Sequence, residues 1–146
     1  MGSSDRPLPR TLVDRACARW GRPAVVDGCR RLLLGESPDR AGLVDLVRML
    51  GAPLADHELA RDPESYWFRT WAARGLLWSW HDDALPELRT ALTDDHWRVR
   101  EMAAKVAARH RLDDLLEPLD ALRVDPNARV RAAAARAVDR IVAADP

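Results

Sequence analysis

Apolar residues recur along this chain at the spacing of amphipathic helices, and Gly or Pro separates the periodic segments. Residues three and four positions apart share one face of a helix, so this spacing places one face of each segment in a core. The stretch before Gly51 is an example, with Leu43, Leu46, Val47 and Leu50 at this spacing. The pattern predicts helices along the chain and an all-α fold.

The positions of Gly and Pro predict eight helices, arranged as four consecutive hairpins. The predicted helices are approximately 10–20 and 23–34, 39–50 and 65–80, 82–92 and 96–110, and 112–123 and 127–143. Between the two helices of the second hairpin, residues 51–64 are predicted to form one long loop, and such loops are often functional or mobile. Pro118 is expected to kink or delay its helix, because its ring displaces the carbonyl four residues earlier.

One segment recurs three times at intervals of 31 residues, and its copies begin at Trp67, Arg98 and Arg129. A fixed period of this length predicts stacked hairpins, since one hairpin cannot bury its apolar face alone. We therefore expect an α-solenoid of about four hairpins. Residues 1–9 are predicted to be a flexible N-terminus, and 10–146 a single domain whose repeats are clearest from 65 to 143.

The third copy carries a family resemblance. Residues 125–134 read Asp-Pro-Asn-Ala-Arg-Val-Arg-Ala-Ala-Ala, which resembles the second helix of a HEAT repeat, especially the short bacterial repeats of the bilin-lyase type. Residues 94–108 are nearly as similar, 66–77 are similar more loosely, and 1–50 only in hairpin spacing. The family resemblance implies an α-solenoid that mostly holds other macromolecules, and it implies no single activity.

In HEAT repeats the Val of the Val-Arg pair lies in the core and the Arg bonds toward the Asp of the turn. The resemblance assigns this structural role to Arg69, Arg100 and Arg131. Independently, Asp95 and Asp125 precede predicted second helices, where a carboxylate can accept the free N–H groups of the first turn. We expect these two residues to be helix caps.

One face of the predicted second helices carries tryptophan and basic residues and no acidic residue. We call this face the basic stripe. Its residues are Trp67, Trp71, Arg74, Trp78, Arg98, Met102, Lys105, Arg109, Arg129, Ala133, Arg136 and Arg140. The resemblance places it on the concave side of the solenoid. Ten acidic residues lie elsewhere, in predicted first helices and turns, so a dipolar layout is compatible with the formal net charge of zero. They are Asp82, Asp83, Glu87, Asp113, Asp114, Glu117 and Asp120 in first helices, and Asp94, Asp95 and Asp125 in turns.

Two interpretations of the basic stripe stay open at the level of sequence. Its indoles are either core residues or exposed anchors, and its cations are either an ordinary solvated face or an anion-binding surface. If the stripe is functional, we expect an interaction or scaffold module that binds an acidic or phosphorylated segment of a partner protein. Nucleic-acid binding through the same face is the alternative. The predicted binding residues are Trp67, Trp71, Arg74, Trp78, Arg98, Lys105, Arg109, Arg129, Arg136 and Arg140.

Composition adds little to this picture. The 23 basic residues balance 23 acidic ones, and nearly all of the basic residues are Arg, for which codon bias is as good an explanation as function. Two cysteines, Cys17 and Cys29, fit a reducing compartment and form either one bridge or two buried thiols. The absence of a signal-like or membrane-spanning apolar run predicts a cytoplasmic protein that does not bind a membrane.

The sequence contains no recognisable catalytic motif. Its most suggestive groups, His81 with Asp82 and Asp83 and His96 with its neighbours, flank a helix about 15 Å long, so one ion cannot bridge them. His57 could approach His96, but a loop His beside carboxylates is usually solvated. No Gly-rich phosphate loop, nucleophile elbow or zinc spacing is present. We expect no metal, no cofactor and no enzymatic activity.

Overall fold

The computed structural model describes residues 6–143, and in this part of the chain it contains ten α-helices and no strand. The helices are α1 (Pro9–Trp20), α2 (Arg22–Leu33), α3 (Pro38–Ala41), α4 (Val44–Leu50), α5 (Ala55–Arg61), α6 (Tyr66–Gly75), α7 (Leu85–Ala91), α8 (Trp97–His110), α9 (Leu116–Ala121) and α10 (Ala128–Ala143). Of the predicted flexible segment 1–9, residues 1–5 lie outside the described residues, and α1 begins at Pro9.

The second helices of the four hairpins form a continuous stack. α2 packs on α6, α6 on α8, and α8 on α10, while α1, α4, α7 and α9 pack against the sides of this stack. The small residues Ala103, Ala104 and Ala107 of α8 are fully buried in it, and they let neighbouring helices approach closely. The architecture is an all-α solenoid, as the repeat spacing predicts.

Two predicted boundaries in the second hairpin are wrong. The helix predicted over 39–50 is two helices, α3 and α4, because Gly42 between them takes a left-handed conformation with φ 70°. The predicted loop 51–64 contains the helix α5, which has acidic residues in its first turn and Arg61 in its last. The acidic residues at the start of α5 and the basic residue at its end both interact favourably with the helix dipole.

Helix α5 is tied to the start of α6 by a buried carboxylate. Glu58 accepts hydrogen bonds from the Arg61 guanidinium (2.7 Å) and the Ser65 hydroxyl (2.8 Å), and Ser65 itself caps α6. The bond from Arg61 lowers the pKa of Glu58, burial opposes this, and Ser65 adds to the lowering. The segment predicted as a loop is therefore a fixed part of the fold.

Pro118 delays the first helix of the fourth hairpin, as expected. Pro118 lies in the first turn of α9, which has only six residues and is flanked by 3-10 turns at Asp113–Leu115 and Leu122–Val124. Helix α6 also differs from prediction, since it ends at Gly75 rather than near Trp80. No described helix is long and apolar enough to cross a membrane.

Arginine–aspartate pairs connect successive repeats. Arg69 donates from Nε to Asp94 Oδ2 (2.7 Å), and Arg100 donates from Nε to Asp125 Oδ2 (2.8 Å), so each Arg reaches the turn of the following hairpin. Arg131 donates instead to the backbone carbonyl of Asp125 (2.8 Å). The structural role that the resemblance assigns to these three arginines is present in the structure.

The capping prediction is wrong for Asp125 and also for Asp95. Asp94, the neighbour of Asp95, accepts from the His96 N–H (2.9 Å), and the His96 side chain caps α8 by accepting from the Arg98 N–H. Asp125 likewise accepts from the Asn127 N–H, and Asn127 accepts from the first N–H groups of α10. The turn carboxylate in each case supports the capping residue rather than being the cap.

Cys17 and Cys29 are free thiols. Cys29 is fully buried, and this burial, with the neighbouring Cys17, raises its pKa to about 12. Only the thiolate reacts, so we expect the folded protein at pH 8 to present at most one thiol to a disulfide reagent. A titration with 5,5′-dithiobis(2-nitrobenzoate) checks this, with two thiols reacting after denaturation in guanidinium. Two rapidly reacting thiols in the folded protein would contradict the burial of Cys29.

Candidate functional site: a basic cleft

The structure divides the basic stripe into two parts with different environments. In one part the predicted binding residues already contact partners within the protein. These residues are Trp67, Trp71, Arg74, Arg98 and Arg129. In the other part they line open depressions in the surface, and only Lys105 among them has a carboxylate within 4.0 Å in residues 6–143, namely Glu101. These residues are Trp78, Lys105, Arg109, Arg136 and Arg140. The two parts carry different functional expectations.

In the first part, indole and guanidinium groups alternate across three helices. The Arg98 guanidinium carbon lies 5.0 Å from the ring centroid of Trp67 and 4.5 Å from that of Trp97, and the Arg129 guanidinium carbon lies 5.1 Å from the centroid of Trp97. These are cation–π distances, so the stack stabilises the junctions of α6, α8 and α10. The sequence places Trp97 off the stripe, whereas in the structure it is the centre of this stack.

A buried carboxylate also lies beside the stripe, contrary to the prediction that the stripe has no counter-charge. The Glu101 side chain is 9% exposed, and its Oε2 lies 3.0 Å from Arg129 Nε and 3.6 Å from Lys105 Nζ. Glu101 belongs to the neighbouring face of α8, but the packing of α10 against α8 brings it within reach of both cations. Arg129 is therefore a poor candidate for binding an external anion.

Trp71 and Arg74 are structural residues, which corrects their prediction as binding residues. Trp71 is 4% exposed and packs so closely on Gly51 that a Cβ at that position would overlap its ring. Arg74 donates from Nη2 to the Leu50 carbonyl (2.7 Å), and burial lowers the pKa of its guanidinium. The end of α4 thus covers both side chains.

The second part of the stripe opens into a cleft with a volume of about 640 Å³. Four arginines from α1, α2, α8 and α10 line it together with two indoles. Its lining residues are Arg10, Asp14, Arg22, Leu77, Trp78, Trp80, Arg109, His110 and Arg140. An adjoining groove of about 310 Å³ shares Leu77, Arg109 and Arg140 and adds Lys105, Ala108, Ala133 and Arg136. We call the two depressions together the basic cleft.

The basic cleft has a strong excess of positive charge. Within residues 6–143, no carboxylate lies within 4.0 Å of the cationic nitrogens of Arg10, Arg22, Arg109 or Arg140. Among the described residues that line either depression, Asp14 is the only acidic one. A concave surface with this charge attracts anions locally even though the net charge of the chain is zero.

Hydrogen bonds hold one wall of the cleft in place. The Trp80 ring stacks on His110 at 5.0 Å and donates from Nε1 to Asp82 (3.0 Å). His110 Nε2 donates to the Leu76 carbonyl at 2.8 Å. Burial lowers the pKa of His110, so its ring is neutral at pH 7. The positive charge of the cleft therefore comes from its arginines and Lys105.

The sequence missed Arg10 and Arg22, which belong to the first hairpin. That hairpin shows the repeat only in its spacing, so no alignment with the later copies could place these arginines beside Arg109 and Arg140. They reach the cleft because α1 and α2 pack against the helices of the stack. A periodic pattern on one helix carries no information about such a junction.

The remaining histidines show no catalytic arrangement. His81 Nδ1 accepts from the Asp83 N–H (3.0 Å), and His96 stacks on Tyr66 with ring centroids 3.5 Å apart. No group of three or more His, Cys, Asp or Glu side chains in the described part of the chain could hold a metal ion.

The fold and the cleft together define an α-solenoid with an open basic surface. A sequence profile of HEAT repeats matches residues 57–139, from α5 to the last turns of α10. This match spans more than half of the chain, and the chain therefore belongs to the HEAT repeat family. No curated protein and no solved structure gives a significant match.

Proposed function

We propose that this HEAT repeat protein is a non-catalytic interaction or scaffold module, and that its basic cleft binds an acidic or phosphorylated segment of a partner protein. The observation that carries the proposal is the convergence of Arg10, Arg22, Arg109 and Arg140 on one cleft without ion-pair partners in residues 6–143. HEAT repeats in general serve as interaction modules, which agrees with this function.

The contrast with other arginines supports an anionic partner. Arg30, Arg69 and Arg100, which lie between helices, each bind a carboxylate at 2.7 to 2.8 Å. Four guanidinium groups that have no carboxylate partner within residues 6–143 repel one another around one cleft, and a bound anion relieves this repulsion. Arginine also offers planar pairs of donors that match carboxylate and phosphate oxygens.

The apolar part of the cleft supports a peptide as the partner. Leu77 and Trp78 are half-buried and lie next to Arg109 and Arg140. Interfaces often combine an aromatic or apolar anchor with arginine in this way. The depressions have volumes of about 640 and 310 Å³, which suit one or two side chains of an extended segment.

Nucleic-acid binding by the same cleft is a second candidate, because Trp78 lies beside the cations and an indole can stack on an unpaired base. The two candidates predict different responses to salt and to the type of ligand. Binding to nucleic acid would depend steeply on salt and would not require a protein segment.

A double charge reversal tests the proposed function. We expect Arg109→Glu with Arg140→Glu to weaken binding of fluorescein-labelled acidic and phosphoserine-containing peptides by more than about tenfold, since it reverses two of the five arginine charges of the cleft. Fluorescence anisotropy at low and moderate salt measures this. Arg15→Glu with Arg40→Glu is the matched control, because both residues are exposed and lie outside the cleft.

Three outcomes separate the candidates. If wild-type protein binds no peptide, or the control pair weakens binding equally, the peptide proposal is wrong. If single-stranded DNA of matched charge binds more tightly than either peptide and loses affinity with the cleft variant, the nucleic-acid candidate replaces it. Peptide binding that only the cleft variant removes supports the proposal.

A further inference from the structure

Helix α10 has a face that no described element covers. Its buried residues Val130, Ala134, Ala137 and Ile141 face α8 and α9, which pack against it. The opposite side is mostly exposed, and Val142 at its end is 56% exposed. We call this side the outer face of α10. Its residues are Ala128, Arg131, Ala132, Ala135, Asp139 and Val142.

The 31-residue repeat identifies the face of α8 that is equivalent to the outer face of α10. The residues of α8 that correspond to Arg131, Ala132 and Ala135 are Arg100, Glu101 and Ala104. Glu101 and Ala104 are buried, and α8 makes its main contact with α10. On α8 this face is therefore the one on which another helix packs.

Arg131 is held in the same way as its counterpart but lacks its carboxylate. Arg100 Nη1 donates to the carbonyls of Asp94 and Asp95, and Arg131 Nη1 donates to those of Asp125 and Pro126. Arg100 also donates from Nε and Nη2 to an Asp carboxylate, at 2.8 and 3.1 Å. For Arg131, no carboxylate of residues 6–143 occupies that position.

The outer face of α10 is complementary to itself. Asp139 follows Arg131 by eight residues, which is about 80° around the helix, so both lie on this face. It is exposed, and within residues 6–143 no basic group pairs with it. Ala135 lies midway between the two residues. If two copies of α10 cross antiparallel at Ala135, each Arg131 lies opposite the Asp139 of the other copy.

We infer that the outer face of α10 is a self-association surface, on which a second copy of this chain packs its own α10 antiparallel about Ala135. Two Arg131–Asp139 ion pairs join the copies, and the Ala and Val side chains of the two outer faces lose contact with water. A helix face that stays in solvent is normally polar, whereas four of the six residues of this face are apolar. The symmetry is that of an isologous dimer.

Two properties of such a dimer follow from its geometry. One helix of 16 residues is about 24 Å long, so the contact is small and we expect a dissociation constant in the micromolar range or weaker. Arg140 is about 180° around α10 from Arg131, so the basic cleft stays open when the outer face is covered. The inference does not depend on what the cleft binds.

Sedimentation velocity on the full chain over a range of concentrations tests the inference. We expect wild-type protein to associate into a dimer as concentration rises. In a dimer of the Asp139→Arg variant, each Arg131 would lie opposite another arginine. We therefore expect the dissociation constant to rise by at least about tenfold. The charge swap Arg131→Asp with Asp139→Arg should restore association. Asp27→Arg, at an exposed position of α2, is the matched control and should leave it unchanged.

The charge swap could impair folding, because Arg131 also donates to backbone carbonyls. A second variant therefore tests the same surface without changing Arg131. Ala135→Arg adds bulk and charge at the proposed crossing point and should abolish the dimer while leaving the circular dichroism spectrum unchanged. A protein that stays monomeric at several hundred micromolar overturns the inference. So does a dimer that tolerates both Asp139→Arg and Ala135→Arg.

Discussion

Replacing Trp71 with Ala is expected to lower the free energy of unfolding by about 4 kcal/mol, the largest stability loss that we predict for this protein. The ring is 4% exposed, lies 6.0 Å from Trp67 and 6.1 Å from Phe68 between centroids, and packs on Gly51. Its removal leaves a cavity where α4 meets α6, and the backbone around Gly51 cannot fill it. Urea denaturation followed by circular dichroism measures the loss.

Trp78→Ala is the matched control for this prediction. Trp78 is half-buried and lines the basic cleft, so we expect its replacement to cost about 1 kcal/mol or less in stability and to weaken peptide binding. The opposite result, a small stability loss for Trp71→Ala together with a loss of binding, would return Trp71 to the binding surface. The pair thus separates an indole of the core from an indole of the site.

Replacing Asp125 with Ala is expected to lower the free energy of unfolding by about 3 kcal/mol. Its side chain is 5% exposed and accepts two hydrogen bonds from Arg100, at 2.8 and 3.1 Å, and one from the Asn127 N–H. Without the carboxylate, the Arg100 guanidinium is left unpaired between two repeats and the turn before α10 loses its support. Thermal and urea unfolding measure the change.

Asp95→Ala is the control for Asp125→Ala. Asp95 is exposed and its carboxylate makes no hydrogen bond within the described residues, so we expect a change within about 0.5 kcal/mol. Equal effects at the two positions would contradict the assignment of the repeat-linking role to Asp125. Sequence alone treats the two aspartates alike.

Asp125 also gives stability a dependence on pH. Burial acts to raise its pKa, but the hydrogen bonds from Arg100 and the Asn127 N–H outweigh burial, and the pKa lies below its ordinary value of 3.8. A carboxyl whose pKa is lower in the folded state stabilises the fold above its ordinary pKa. This contribution is therefore complete at neutral pH and is lost as the pH falls below about 4.

Several expectations stay predictions. The match to HEAT repeats does not distinguish the bilin-lyase type from other HEAT repeats. A cytoplasmic location, a bacterial source and an acidic or phosphorylated partner rest on the sequence interpretation and on the cleft. The experiments on the cleft and on the outer face of α10 address the partner and the assembly independently.

The sequence by itself determined the class of fold, because helix periodicity and a 31-residue repeat are local properties of the chain. The resemblance of the repeat to HEAT repeats also implied structural roles for Arg69 and Arg100, which bind Asp94 and Asp125 in the structure. It failed where a break depends on the conformation of one residue, as at Gly42, and where a short helix such as α5 depends on its contacts with α6.

Only the tertiary structure decided which residues of the basic stripe are free to bind. Helical projection shows which residues share a face, but burial depends on what packs against that face. The end of α4 covers Trp71 and Arg74, and α10 brings Arg129 to Glu101. The cleft likewise exists because helices remote in sequence meet, which places arginines of the first hairpin beside those of α8 and α10. Contacts between distant segments do not appear as a periodic pattern in the sequence. The residues that line the cleft could therefore be identified only from the folded structure.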